Sequence, residues 1–210
     1  MTHRHAPPGL IADFAAGTLS DGMRLLVASH LAFCGCCRDR LARLELLCGT
    51  LLALGPAEPL SRGCRERALA RLAAVREDPP ADTALAASGP FPVPLSLRLP
   101  PACDLRWQPV RPGLSECRLD GFPTEAVGLM RAAPGTTLRC PDFSGHEARL
   151  VLTGRLRSGA YVYDRGDLAL PDPATRPEPS VAPEAFGREE CLCLVVRPGP
   201  TPVPTRPHVG

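Results

Sequence analysis

The chain is short of aromatic residues: six Phe, two Tyr and one Trp make up 4% of its 210 residues. Leu, Ala and Val must therefore build any core, which favours two small domains over one large one. Charge of one sign is also lacking. Lys and Arg number 24 against 22 Asp and Glu, a net +2 with the two signs mixed along the chain, and this argues against direct nucleic-acid binding. No apolar run reaches the roughly 18 residues of a membrane span; the best, Leu46 to Leu54, is short and interrupted by Cys48, Gly49 and Thr50. The opening residues, Met-Thr-His-Arg-His-Ala-Pro-Pro, lack the apolar stretch of a signal peptide. A cytoplasmic location is the expectation. Histidine is scarce too, with five in all, and three of these lie in the first 30 residues.

Proline and cysteine are plentiful, at 26 and 10. In a reducing compartment clustered cysteines read as metal ligands, small buried groups or reactive thiols rather than disulfides. The prolines divide the chain. Residues 1–78 carry helical signals: Leu10 to Ala16 ahead of Gly17, a second helix from an N-cap at Ser20 to about His30, a third with Leu41, Leu44, Leu47, Cys48 and Leu51 on one face, and a fourth from Ser61 to about Glu77. Residues 79–101 are a proline-rich linker. From 102 to 198 the period becomes alternating, with strands expected at Asp104–Trp107, Leu114–Leu119, Ala126–Arg131, Ala148–Leu152, Tyr161–Tyr163 and Cys191–Val196. Asp172 to Pro183 reads as a long loop, and 199–210 as a disordered tail. The fold class expected is an all-α N-terminal bundle followed by an all-β sandwich or small barrel.

One constellation carries metal chemistry. His30, Cys34 and Cys37 form HxxxCxxC, with spacings of four and three that bring three ligand atoms to one side of a helix or helical corner. Zinc wants four tetrahedral nitrogen and sulfur ligands. The fourth is open between His3 and His5 on the residues alone, since Cys36 points away from the others and Cys48 is about three turns on. Competing readings are a buried cysteine pair beside a surface histidine and a redox CxxC, although no βαβ unit precedes it. A core of Leu, Ala and one Phe would gain folding energy from such a staple.

The string His5-x8-Phe14-Ala-Ala-Gly-Thr-Leu-Ser20, followed by Val27-Ala-Ser-His30-Leu-x-x-Cys34-x-x-Cys37-Arg38, resembles the N-terminal domain of the ChrR family of zinc-binding anti-sigma factors. The resemblance implies a cytosolic protein whose ligands are His5, His30, Cys34 and Cys37, with Phe14-Ala-Ala-Gly favouring His5 over His3. It implies one structural Zn2+, no catalysis, and a partner: an extracytoplasmic-function (ECF) sigma factor, held inactive in a heterodimer until an oxidative stress such as singlet oxygen or organic peroxide releases it. Leu10, Phe14, Leu69 and Leu72 are candidate docking positions, against the alternative that they pack the bundle. The second domain resembles a cupin, through Pro134-Gly135, Glu147 with Gly154 beyond it, Asp164-Arg165-Gly166-Asp167, and Cys191-Leu-Cys193.

That cupin likeness breaks at its metal. An HxH pair, a glutamate and a later histidine are needed, but the place of the pair reads Asp142-Phe143-Ser144 and only His146 remains for the barrel. A metal-dependent cupin enzyme is therefore the lesser alternative, as is a zinc-stabilised adaptor for another protein. Cys191 and Cys193, two apart on a strand and so facing one way, form with Cys140 a candidate oxidant-responsive thiol set; small core residues are the simpler expectation.

Overall fold

A computed structural model describes residues 4–74, 91–99, 104–138, 147–171 and 183–198. Expectations for His3, Cys140, His146, most of the linker and of the 172–183 loop, and the 199–210 tail lie outside them. Four helices occupy the N-terminal part: α1 (Pro8–Ala16), α2 (Asp21–Phe33), α3 (Gly35–Leu54) and α4 (Cys64–Ala74). A one-turn α5 (Val93–Ser96) ends the proline-rich stretch, with Leu95 fully buried. Nine strands follow: β1 (Gln108–Arg111), β2 (Leu114–Leu119), β3 (Glu125–Ala132), β4 (Ala148–Thr153), β5 (Leu156–Ser158), β6 (Tyr161–Tyr163), β7 (Leu168–Ala169), β8 (Glu184–Ala185) and β9 (Cys191–Pro198).

The strands form two sheets, not one closed ring: six in the order β1-β2-β3-β9-β4-β7 and three in the order β6-β5-β8. The closed barrel considered from sequence is thereby corrected. Strands β5, β7 and β8 are only two or three residues long, too short to continue the large sheet around, and an isolated bridge ties Thr137, in the segment after β3, to Glu184 of β8. The expected strand at Asp104–Trp107 also shifts, to Gln108–Arg111.

Strand β9 explains how the layers are held. Its residues 191–196 form an unbroken apolar run and all are buried, because both faces of the large sheet are covered. Leu192, Leu194 and Val196 face the helices, in one core with Ile11, Leu26, Val27, Leu31 and Leu95. Cys191, Cys193 and Val195 face the small sheet, in a second core with Met130, Leu156 and Tyr163. The helical and strand regions thus share the first core, and at ~1.5–3 kcal/mol for each fully buried large aliphatic side chain this interface is a main source of stability.

Helix α2 is the element that joins them. Its N-terminal turn lies so close to β3 that a Cβ on Gly22 would come 2.7 Å from Val127 Cγ2, so only glycine fits. The N-cap works differently from the sequence expectation. Ser20 holds the extended N-cap conformation but makes no side-chain bond to its own helix; its hydroxyl donates to Glu125, whose other carboxylate oxygen accepts the Gly22 amide at 2.7 Å. A carboxylate from the sheet thereby caps the positive end of the helix.

Candidate metal centre

The corner between α2 and α3 is built by the sequence His30 to Arg38. Cys34 breaks the helix with extended backbone angles (φ −105°, ψ 102°) while its amide still donates to His30 O at 3.0 Å and its carbonyl accepts from Arg38 N at 3.1 Å. It serves as the end of one helix and the start of the next. Arg38 Nη1 donates to Leu31 O at 2.6 Å, satisfying one of the carbonyls that the end of α2 leaves open. Cys37, in the first turn of α3, is turned inward and fully buried, while Cys36 is exposed. The extended segment before α1 lays His5 across this corner, with His5 Nδ1 3.2 Å from Cys34 Sγ.

The ligand atoms of His5, Cys34 and Cys37 all lie within 4.8 Å of one another. A tetrahedral zinc with bonds of about 2.0–2.3 Å separates its ligands by about 3.5–3.8 Å, so the trio has the compactness such a site demands. Its chemistry fits as well. Burial pushes the Cys37 thiol up to about 11, a shift opposed by the backbone amide of Ala6 and reinforced by Cys34; a thiol held there needs a cation beside it to become a thiolate.

His30 stands outside that trio. It is buried one turn before Cys34, and its Nδ1 lies 2.7 Å from the carbonyl oxygen of Gly166. A carbonyl only accepts, so Nδ1 carries the proton in this contact and Nε2 keeps the lone pair a metal would use. Gly166 belongs to the turn between β6 and β7, in the strand region. The local sequence Asp164-Arg165-Gly166-Asp167 carries no signal of a partner 136 residues away.

No protein-family model matches the chain. The anti-sigma-E factor ChrR of Cereibacter sphaeroides is 32% identical over 213 residues, which cover 95% of this chain and 92% of that protein. The chain belongs to the ChrR family of anti-sigma factors. Among solved structures, Rhodobacter sphaeroides SigE in complex with the anti-sigma ChrR is similar over 94% of this chain and 100% of the matched one, with 26% identity and a TM-score of 0.75. An RmlC-like cupin protein from Ralstonia eutropha overlaps 47% of this chain and 66% of its own, at 18% identity and a TM-score of 0.36.

Between its two sheets this ChrR-family chain holds charge pairs. Glu147 pairs with Arg149 and accepts from Arg197 Nε at 2.8 Å. Arg197 also reaches Glu116 at 2.5 Å and Met130 Sδ at 3.1 Å. Burial works against the Arg197 charge, but Glu147 and Glu116 outweigh it and raise its pKa. Two glutamates and two arginines neutralise one another here. Next to them Cys191 and Cys193 lie with their sulfurs 3.6 Å apart, both fully buried.

Proposed function

We propose that this chain is an anti-sigma factor of the ChrR type: one structural zinc on His5, His30, Cys34 and Cys37 shapes the α1–α3 corner, and the helices hold an ECF sigma factor inactive in a heterodimer. The zinc would supply no chemistry beyond joining thiolate and imidazole ligands in a closed four-ligand site. His5, Cys34 and Cys37 supply three donors from two segments, and His30 offers Nε2 with its tautomer set by Gly166.

The observation that carries the partner reading is the apolar surface left open on α3 and α4. The N-terminal half of α3 packs through Cys37, Leu41 and Leu44, but from Glu45 onward every residue of the helix is exposed, Leu52 at 84%. Leu69 and Leu72 on α4 are exposed as well. Contiguous open leucines of this kind mark a protein interface. Leu10 and Phe14, by contrast, pack against the first core, so docking centres on α3 and α4. Cytoplasmic residence follows from a partner that works with RNA polymerase.

The reading is of a regulator and not an enzyme. For Glu147 to ligate a metal it would have to leave two arginine partners, which removes the ground for a cupin reaction. Release under oxidative stress is the further part of the proposal, supported by family membership. Co-expression with an ECF sigma factor encoded beside this chain, followed by gel filtration and transcription in vitro, tests the reading: a 1:1 complex and lost sigma-dependent transcription are expected, and two species eluting separately would overturn it.

A further inference from the structure

We infer that the Asp164–Asp167 turn of the strand region positions the two zinc-site histidines, so that the state of the sheets is felt at the metal; this rests on the zinc reading above. The turn reaches the site at two points. Gly166 O accepts from His30 Nδ1 at 2.7 Å, and Asp167 Oδ1 accepts the backbone amide of Arg4, the residue before His5, at 3.1 Å. The Arg4 guanidinium also lies over Tyr161, 3.9 Å from its ring centre, on the adjoining strand β6. Both histidines are therefore oriented by the same four residues.

The turn is itself held rigidly. Asp167 Oδ2 accepts the Asp164 amide at 2.9 Å, and the Asp167 amide donates to Asp164 O at 2.9 Å. On its inner side Gly166 N donates to Val151 O at 2.8 Å and Val151 N to Asp167 O at 3.1 Å, tying the turn to β4. On its outer side it presses against α2. Gly166 has φ +90°, and a Cβ there would stand 2.8 Å from Phe33 Cβ. Glycine is required both for the backbone angle and for the approach that brings its carbonyl to His30. A displacement of β4 or β6 would move the acceptor that fixes the His30 tautomer and the anchor that lays His5 over Cys34. Outer partners of this kind typically change metal affinity 10–100-fold.

The test is zinc affinity of the full chain, measured by competition with a chromogenic chelator, for Gly166→Ala, Asp167→Ala and the near-isosteric Asp167→Asn. Gly166→Ala and Asp167→Ala are expected to weaken zinc about tenfold or more at an unchanged one zinc per chain, and Asp167→Asn, which keeps one acceptor oxygen, by less. In the parent loaded with zinc, nitrogen NMR of His30 should show the proton on Nδ1. Should Gly166→Ala fail to fold, the Asp167 pair decides. Affinities within twofold of the parent, or His30 protonated on Nε2, would overturn the inference and leave the zinc site standing; a parent that takes up no zinc, or a Cys37→Ser chain that binds as the parent does, overturns the zinc reading and the inference with it.

Discussion

Glu125 on β3 receives the backbone amide of Gly22 at 2.7 Å and the hydroxyl of Ser20, closing the N-terminus of α2 from outside the helix. The capping residue is 103 positions from the helix it caps. Replacing it by Ala removes a carboxylate from the positive end of the helix dipole and leaves the amide without this acceptor, a loss of roughly 0.5–2 kcal/mol. Glu125→Gln should lose less, since its amide oxygen still accepts one of the two. Chemical denaturation of the parent and both variants checks the order, and equal stabilities would show that solvent replaces the carboxylate.

Removal of zinc should not be confined to the helices. On the sequence alone, two regions joined by a linker would be expected to loosen separately, with chelation sparing the strands. The shared core changes this: Leu26 and Val27 of α2 pack in one cluster with Leu150 of β4 and Leu194 of β9. Chelation, or Cys37→Ser, is expected to lower a single transition seen together in far-ultraviolet circular dichroism and in the fluorescence of Trp107, which packs on that cluster from the strand region. A helical signal that melts while Trp107 fluorescence stays put would count against the shared core as a cooperative unit.

These two cases show what the sequence made legible and what it did not. Local signals placed α1 to α4 and the strands β2, β3, β4, β6 and β9 within a residue or a few, because capping residues, glycine stops and periodicity are properties of neighbouring positions. The HxxxCxxC spacing pointed to the α2–α3 corner for the same reason, although the trio brought together there is His5, Cys34 and Cys37, with His30 outside it. Gly166, Asp167 and Glu125 were not, since their roles depend on segments more than 100 residues away that touch only after folding. Helix α3 illustrates a different limit. Its period marks Leu41, Leu44, Leu47, Cys48 and Leu51 as an apolar face, but periodicity says only that a face is apolar, and among the described residues Leu47, Cys48 and Leu51 stand exposed.

Arg197 is paired with Glu116 and Glu147 while only 3% of its side chain is exposed. Arg197→Leu would strand two buried carboxylates, with Arg149 able to answer for only one, and a loss of about 3–5 kcal/mol in urea denaturation is expected. Lowering the pH should recover part of it, because protonated carboxyls no longer need the arginine. A loss under 1 kcal/mol would mean that water enters between the sheets.

Thiol chemistry should separate the cysteines by burial. Cys36 and Cys48 are exposed and should react quickly with a thiol reagent in the native zinc protein, whereas Cys117, Cys191 and Cys193 are buried and should not. Burial raises Cys117, and the Cys191 sulfur together with burial raises Cys193 well above the ordinary value of 9.0. Above about pH 9 the unfolded chain releases these protons and the folded one keeps them, so stability is full below pH 9 and falls as the pH rises toward the folded values. Rapid labelling of Cys191 or Cys193 themselves at neutral pH, located by peptide mapping, would contradict this and reopen the pair as an accessible, oxidisable set.

The open face of α3 and α4 makes the sharpest demand on the partner reading. Leu52 and Leu72, at 84% and 68% exposure, touch little of their own chain, so Leu52→Glu and Leu72→Glu should leave zinc content and thermal stability unchanged, as surface substitutions usually do within ~0.5 kcal/mol. At the centre of an interface the same change buries a charge without a partner and should weaken sigma-factor binding by two orders of magnitude or more, a loss of about 3 kcal/mol. Leu10→Glu should behave in the opposite way, lowering stability first, because Leu10 packs against the first core. Binding measured by calorimetry beside thermal melts distinguishes the two patterns. If Leu52→Glu and Leu72→Glu bind the sigma factor as the parent does, the leucines of α3 and α4 are not where the partner sits, and the docking surface must be sought on another face.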